Sequence, residues 1–210
     1  MTSKNQPAEL SPHRQRKHDQ MVQKILNTAR QIMREEGVAA LSMHELARRL
    51  DLRAPSLYNY FDGKMALYDA LFRLGFGLYA ERTTEAGRGA QTWQEEIRRQ
   101  MEAYLAFAIE NPDLYQLCFE RPVPAFVPSE ASLAFSLDLL NQSYARVEQL
   151  PARQESGLET RQVVDMVIAI MHGLSSLHLA NEPHLPLGQG RFGGLIPAFI
   201  QTLDRAWAKK

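Results

Sequence analysis

Residues 42–64, SMHELARRLDLRAPSLYNYFDGK, carry the clearest structural signal in this chain. Ser42, followed three residues later by Glu45, forms a capping box, which predicts a helix that begins at Met43. Pro55 has no backbone N–H to lose in a first helical turn and its φ is preset, so it favours the start of a second helix. The stretch therefore predicts two short helices joined by a tight turn.

The second of these helices divides into an inward and an outward side. Leu57 and Phe61 are four residues apart and share one face, which we expect to point inward with Leu41 and Leu46. Residues 58–60, Tyr-Asn-Tyr, are consecutive and cannot all face inward on a helix. An ordinary helical hairpin with buried aromatic residues is the alternative. Outward-facing polar aromatics instead favour a helix-turn-helix, whose second helix enters the major groove of DNA.

The same residues carry a resemblance to a known family. Residues 57–64, LYNYFDGK, are preceded by residues 35–37, EEG, and 42–47, SMHELA. Together they resemble the DNA-binding domain of the TetR (tetracycline-repressor-like) family, over residues 19–70 of this chain. The resemblance implies a double-stranded DNA operator as the partner of this part of the chain.

The rest of the chain matches the same family more weakly. Residues 111–115, NPDLY, and 171–173, MHG, resemble one class of TetR ligand domain, named for a Trp-His-Gly motif. Met171 stands where that motif has tryptophan. The resemblance implies a pocket for a small-molecule effector inside a helical body, and a homodimer formed through the last two long helices.

The candidate DNA contacts divide into base contacts and phosphate contacts. Tyr58 and Asn59 are expected midway along the second helix, where asparagine can pair with adenine and tyrosine can pack on a thymine methyl. Pro55 can make an apolar contact to a base. The other candidates carry groups suited to phosphates. They are the hydroxyls of Ser42 and Ser56 near helix starts, the phenol of Tyr60, the guanidinium of Arg53, and the ammonium of Lys64 beside a helix N-terminus.

The pattern of caps and apolar positions predicts an all-α fold, in which a three-helix helix-turn-helix DNA-binding domain precedes a larger helical ligand-binding and dimerisation domain. We expect a disordered N-terminal arm at residues 1–17, the DNA-binding domain at 18–66 and the helical body at 67–210. No alternating run is long enough for a strand. We expect one helix to end before Gly37 and another to span residues 65–86. The next helices should begin after Thr92, follow Asn111 as far as Phe119, and run from Ser129 to residues 150–151. The last two should span residues 160–180 and 191–209.

Charge is distributed unevenly along the chain although the formal net charge is zero. Residues 1–80 carry 12 Lys and Arg against 8 Asp and Glu, a net charge of +4, and residues 81–210 carry 12 against 16, a net charge of −4. A basic head on an acidic body suits a protein that touches phosphates with one end. The basic cluster at residues 13–18 is either a solvated arm or a phosphate-contacting one.

Cysteine content and hydropathy predict the compartment. The single cysteine, Cys118, excludes an internal disulfide and fits a reducing cytosol. We see no apolar run that approaches the ~20 residues of a membrane span, and no signal-peptide core at the N-terminus. The sequence therefore predicts a cytoplasmic protein with no membrane partner.

The helical body offers candidates for a pocket and for a dimer interface. The helix at residues 160–180 is apolar on nearly all sides, so it must be buried on more than one face, and a partner subunit can cover the second. For the pocket we select residues that combine bulk, softness and a few polar tips, with core packing as the alternative for each. They are Met101, Tyr104, Phe107, Cys118, Phe119 and His172.

A helical enzyme is the competing class. His172, His178 and His184 recur every six residues, which places them on different helical faces. Ser175 and Ser176 lie near two of them, but no nucleophile elbow surrounds them, and neither the His i, i+4 nor the Cys-x-x-Cys metal spacing occurs. We predict a transcriptional regulator without catalytic residues, metal or cofactor. A repressor released by a mostly apolar effector is favoured, with an activator as the alternative.

Overall fold

The computed structural model describes residues 12–149 and 157–207. Every regular element in these ranges is helical, which confirms the all-α prediction. The chain clusters into two compact units that divide after Leu67. Each unit has its own buried core.

The first unit contains the predicted helix-turn-helix. Its elements are α1 (Pro12–Glu36), a 3-10 turn (Val38–Ala40), α2 (Met43–Arg49), α3 (Ala54–Leu57) and the start of α4 (Lys64–Gly87). As predicted, Leu41, Leu46 and Leu57 are buried. They join an apolar face of α1 and the residues around the turns: Ile25, Leu26, Ala29, Ile32, Met33, Val38, Ala47, Leu50 and Leu67.

Helix α1 starts earlier than the sequence suggested. Residues 12–17, which we expected in a disordered arm, are helical, whereas residues 1–11 lie outside the described part of the chain. The basic and amide side chains of this segment are good helix formers. Gln15 also donates a hydrogen bond to Asp19, four residues on, at 2.9 Å. The helix ends at Glu36 as predicted, because Gly37 adopts a φ of 92° that favours glycine.

The start of α2 was predicted correctly, but the capping box was wrong. The helix begins at Met43, yet the Ser42 side chain makes no capping hydrogen bond. The Glu45 carboxylate instead accepts hydrogen bonds from Arg48 and Arg49 at 2.7 Å. These charge-assisted bonds are stronger than the bond to a backbone amide that a capping box requires.

The second unit is a helical body. Helix α5 (Trp93–Glu110) packs against α8 (Thr160–Asn181), α7 (Glu130–Glu148) packs on α8, and α10 (Ile196–Trp207) packs on α5. At one end the rings of Trp93 and Trp207 lie 5.2 Å apart. After α4, its elements are α5 (Trp93–Glu110), α6 (Pro112–Tyr115), a π-helical turn (Gln116–Glu120), α7 (Glu130–Glu148), α8 (Thr160–Asn181), α9 (Gly190–Gly193) and α10 (Ile196–Trp207).

Two predicted caps occur in the body. The Thr92 hydroxyl accepts from the Glu95 backbone N–H at 3.2 Å, and Ser129 accepts from Ser132 at 3.3 Å. The final helix differs from the prediction, because it is broken at Gly194 into α9 and α10. The predicted helix ends at residues 150–151 and 208–209 lie outside the described residues.

A close contact at Gly75 positions the π-helical turn against α4. A Cβ at this glycine would lie 2.6 Å from the Cys118 Sγ and 3.4 Å from the Leu114 Cβ. A larger residue would therefore require the Cys118 side chain or the turn to move. The missing side chain therefore lets the turn approach α4, and it places Cys118 and Phe119 beside a cavity described below.

Helix α8 corrects the expectation about apolar runs. It is long and apolar enough to cross a membrane by length and composition, with a mean hydropathy of 1.6 over an 18-residue window. Of that window, 28% is buried within the chain. Its buried face consists of Val163, Val164, Val167, Met171, Ser175 and His178. The helix therefore leaves a second apolar face on the surface of the described chain.

Candidate nucleic-acid interface and ligand cavity

The predicted recognition helix is shorter than expected. Helix α3 ends at Leu57, and Tyr58 and Asn59 follow it rather than lie midway along it. The backbone N–H groups of Tyr58 and Tyr60 bond three residues back, at 3.3 and 2.9 Å, as in a tighter 3-10 turn. Because α4 already begins at Lys64, few residues are left for a longer α3.

Residues 53–59 form a short, exposed segment within the first unit. Leu57 is fully buried and anchors the segment, while Tyr58 is 56% exposed. Arg53, Pro55 and Asn59 are also exposed, and Ser56 is half-buried. The fold thus brings five of the eight candidate DNA-contacting residues together on one segment, which we call the reading segment.

The remaining candidates are held by contacts within the first unit. The Tyr60 ring packs on His18 of α1, with ring centroids 5.1 Å apart. The Lys64 ammonium donates to the Ala39 carbonyl at 3.2 Å, which ties the start of α4 to the turn before α2. Ser42 is half-buried at the N-cap of α2. His18 was not selected from the sequence, because it lies in the basic cluster far from the motif.

A charge cluster fixes α2 against the end of α1. The Arg49 guanidinium contacts Glu35 at 2.5 Å and Glu45 at 2.7 Å, and it also bonds Glu36. Hydrogen bonds from Arg48 and then Arg49 lower the pKa of Glu45 to about 2. A depressed folded-state pKa stabilises the unit above the ordinary pKa of glutamate, and this contribution is lost as pH falls below that value and through the folded-state pKa.

The second unit contains a partly open cavity of about 520 Å³. Residues of α4, α5, α7, α8, the π-helical turn and the loop at 121–128 form its walls. Burial raises the pKa of the Tyr79 hydroxyl in this wall to about 12, so the hydroxyl stays neutral. The aromatic part of the lining consists of Phe72, Phe76, Tyr79, Tyr104, Phe119 and Phe126.

Three of the six predicted pocket residues line this cavity. Tyr104, Cys118 and Phe119 do so, and burial raises the pKa of the Cys118 thiol. Met101 and Phe107 do not reach the wall, because both pack within the core, at 1% and 0% exposure. The structure therefore places these two in the core, the alternative that the sequence left open for each candidate.

His172 also lies off the cavity wall, bound to two tyrosines. Its Nδ1 lies 3.0 Å from the Tyr115 hydroxyl and 3.3 Å from the Tyr104 hydroxyl. The Tyr115 ring stacks on the imidazole at an interplanar angle of 26°. Desolvation raises the pKa of both tyrosines, which keeps them protonated. The His172 imidazole is therefore held by a pair of tyrosines, of which Tyr104 also lines the cavity.

A polar cluster at the cavity wall was missed from the sequence. Glu96 of α5 is 7% exposed, and its Oε1 lies 3.4 Å from Arg146 Nη1 and 3.5 Å from Gln100 Nε2. Gln100 also donates to the Thr83 carbonyl at 3.0 Å. An acidic residue in a first helical turn is usually explained by the helix dipole, so the sequence pattern carried no sign of this cluster.

The histidines of the enzyme hypothesis are not brought together with the serines. Fully buried His178 bonds through Nε2 to the Leu185 carbonyl at 3.1 Å, and His184 is exposed. Ser176 donates to Glu120 at 3.3 Å. Among the described residues no group of three His, Cys, Asp or Glu side chains is placed to hold a metal ion.

Family models match both parts of the chain. Residues 25–71 match the model of bacterial regulatory proteins of the tetR family, and residues 97–192 match that of the tetracyclin repressor-like C-terminal domain. The uncharacterized helix-turn-helix-type transcriptional regulator YobS of Bacillus subtilis is 32% identical over 96 residues, which cover 44% of this chain and 48% of that protein.

A second relative and one solved structure extend the comparison. The transcriptional activator FasR of Mycolicibacterium smegmatis is 27% identical over 97 residues, covering 46% of this chain and 44% of that protein. The chain thus spans about half the length of the curated relatives it matches. The regulator FadR of Bacillus subtilis, solved with stearoyl-CoA, has a TM-score of 0.69 at 15% identity, covering 88% of this chain and 98% of that one. This likeness concerns the fold.

Proposed function

Because the chain belongs to the TetR family of DNA-binding transcriptional regulators, we propose that it is a homodimeric repressor of a pseudo-palindromic operator. A small, mostly apolar effector releases it from this operator. The observation that carries the proposal is the presence, in one chain, of an exposed reading segment and of a separate cavity of about 520 Å³.

The DNA contacts are proposed on the reading segment and its neighbours. Exposed Tyr58 and Asn59 contact base edges, and Pro55 packs on a base. Phosphates fix the register of the protein on the duplex but do not specify sequence. The proposed phosphate contacts are Ser42, Arg53, Ser56, Tyr60 and Lys64.

The phosphate role of Lys64 can be separated from its contact with Ala39. Lys64→Gln keeps a donor for the Ala39 carbonyl but removes the charge. We expect it to weaken binding to all DNA sequences alike and to lower the slope of log affinity against log salt by about 1. Fluorescence anisotropy over a salt series measures this slope. Lys24→Gln, on the exposed side of α1, is the control. An unchanged slope for Lys64→Gln would show that Lys64 makes no phosphate contact and only binds the Ala39 carbonyl.

The homodimer is proposed on the surface face of α8. Met166, Ile170, Gly173 and Leu177 follow helical spacing along one stripe, which we call the α8 stripe. Met166 is 40% and Leu177 is 46% exposed. Contiguous apolar surface of this kind marks an association site, and a two-fold partner places the same stripe opposite itself. This use of the stripe also supports a cytoplasmic protein rather than a membrane-spanning one.

The effector is proposed to occupy the cavity. Its size falls within the range of pockets that take drug-sized ligands, and its aromatic walls favour an apolar one. The stearoyl-CoA of the FadR structure is a ligand with a long apolar chain, and this supports a mostly apolar effector here. A ligand that binds the DNA-incompetent form better shifts the population away from the operator.

A hydrogen-bonded link connects the cavity wall to α4. The loop at 121–128 covers the cavity and leads into Ser129. The Asp69 carboxylate on α4 accepts from the Ser129 N–H at 2.8 Å and from the hydroxyls of Ser129 and Ser132 at 2.9 Å. Helix α4 begins in the first unit, after the reading segment, and continues into the second. Displacement of the loop at 121–128 is therefore expected to shift α4 through Asp69.

This link predicts the behaviour of a variant whose cavity is filled. Ser136→Trp places an indole in the cavity next to the loop, and we expect operator affinity to fall roughly tenfold without any ligand. Asp69→Asn alone should leave operator affinity unchanged, and in combination with Ser136→Trp it should restore most of the loss. Gel-shift titrations of the four proteins, with melting temperatures to confirm folding, measure the coupling. An equal loss with and without Asp69→Asn would exclude the link.

Activation is the second candidate, favoured by the similarity to the activator FasR. A chromosomal deletion with a reporter placed behind the operator distinguishes the two. Repression predicts that the deletion raises reporter expression, and activation predicts that it lowers it. The reading segment and the dimer are required in either case, because both modes depend on operator binding.

A further inference from the structure

Three polar side chains converge at one point of the mostly apolar cavity wall. They are Glu96 and Gln100 of α5 and Arg146 of α7. A Cβ built on Gly87 would lie 3.2 Å from Glu96 Oε1, 3.2 Å from Gln100 Nε2 and 3.3 Å from Arg146 Nη1. The three atoms therefore lie close together beside Gly87 of α4, and we call this group of cavity-lining side chains the polar end of the cavity.

The contacts within the polar end are long. Charge-assisted hydrogen bonds are usually about 2.7–2.9 Å, whereas the Glu96–Arg146 contact is 3.4 Å and the Glu96–Gln100 contact is 3.5 Å. Both of these contacts use Oε1 of the carboxylate. A buried carboxylate that is held this loosely retains the capacity to accept a further hydrogen bond.

The charges at the polar end balance each other. A ligand anion at this point would meet the Glu96 carboxylate, and a ligand cation would meet the Arg146 guanidinium, so either would add an uncompensated charge to a mostly apolar cavity. An uncharged hydroxyl or amide can donate to Glu96 and accept from Arg146 or Gln100 at the same time. Arg121 also lines the cavity, but it is exposed and therefore solvated.

We propose that the cavity selects an uncharged amphiphile, with a hydroxyl or amide head between Glu96 and Arg146 and an apolar body against the aromatic walls. The inference rests on the proposed function, because it names the ligand class of the same cavity. It predicts a preference for head group that the apolar walls alone would not produce.

Three ligands with the same chain test this preference: decanol, decanoate and decylammonium, each below its micelle concentration. We expect calorimetric titration of the full-length protein to show decanol binding roughly tenfold or more tightly than either charged ligand. Burial of an uncompensated charge disfavours both of these. Preference of the wild type for decanoate or decylammonium, or binding of none of the three, would overturn the inference.

Single substitutions at the polar end should change the preferred head in opposite directions. Glu96→Gln leaves Arg146 unbalanced, and the preference should move to decanoate. Arg146→Gln leaves Glu96 unbalanced, and the preference should move to decylammonium. The double variant should prefer decanol again, and Arg205→Gln, at an exposed position of α10 away from the cavity wall, is the control that should behave as the wild type. Melting temperatures confirm that each variant is folded, and unchanged preferences in the folded single variants contradict the inference.

Operator binding separates this inference from the proposed function. If decanol binds preferentially but leaves the operator complex intact, the ligand class stands and the proposed release by the effector fails. If decanoate binds preferentially and releases the operator, the release stands and the proposed ligand class fails.

Discussion

Leu177→Glu is expected to convert the dimer to a monomer at micromolar concentration and to lower operator affinity roughly a hundredfold or more. Leu177 is 46% exposed in the single chain, so the new carboxylate stays in water and the monomer keeps its fold. In the proposed dimer the same carboxylate would be buried against the α8 stripe, which costs several kcal/mol. Sedimentation velocity measures the association state, and anisotropy measures the loss of affinity.

A charge placed elsewhere on the body is the matched control. Ala134→Glu adds the same carboxylate to an exposed position of α7, and the protein should stay dimeric with normal operator binding. If the Leu177→Glu protein remains dimeric, the dimer interface does not lie on the α8 stripe. If it is a monomer that retains full operator affinity, operator binding does not require the dimer.

Tyr58→Ala and Asn59→Ala are each expected to cost roughly 1–3 kcal/mol of discrimination between operator and unrelated DNA. Both side chains are exposed beyond the end of α3, so their removal leaves the buried core of the first unit unchanged. Non-specific affinity should change little, because phosphate contacts supply it. Anisotropy titrations with operator and with scrambled duplex give the ratio of the two affinities.

Gln31→Ala, on the exposed side of α1, is the control for these variants and should bind as the wild type. Melting temperatures of the two variants should match that of the wild type. If Tyr58→Ala binds the operator as tightly as the wild type, the base contacts lie elsewhere than on the reading segment.

Much of the fold could be predicted from the sequence because helix ends depend on local signals. Gly37 ends α1, Pro55 lies in the first turn of α3, and Ser129 caps α7, each through the backbone chemistry of a few adjacent residues. The burial of Leu57 followed from helical spacing in the same way. The length of α3 was overestimated because it depends on where α4 begins.

The cavity could be predicted only in part, because its lining comes from segments distant in the sequence. Tyr104 and Phe119 were found from bulk and polarity, whereas His172 has the same character but binds Tyr115 away from the wall. The polar end joins Glu96 to Arg146, fifty residues later, and no local pattern connects them. A sequence shows which residues suit a pocket, but the packing decides which of them reach it.

Selection of bound duplexes from a random library by the wild-type protein shows whether the protein reads DNA with two-fold symmetry. We expect the enriched sequences to be inverted repeats whose half-sites are about 10 base pairs apart, one helical turn, or a multiple of this spacing. The Tyr58→Ala protein should lose the enrichment. Enrichment of single, unpaired half-sites, or no enrichment over the starting library, would contradict operator binding by a two-fold symmetric dimer.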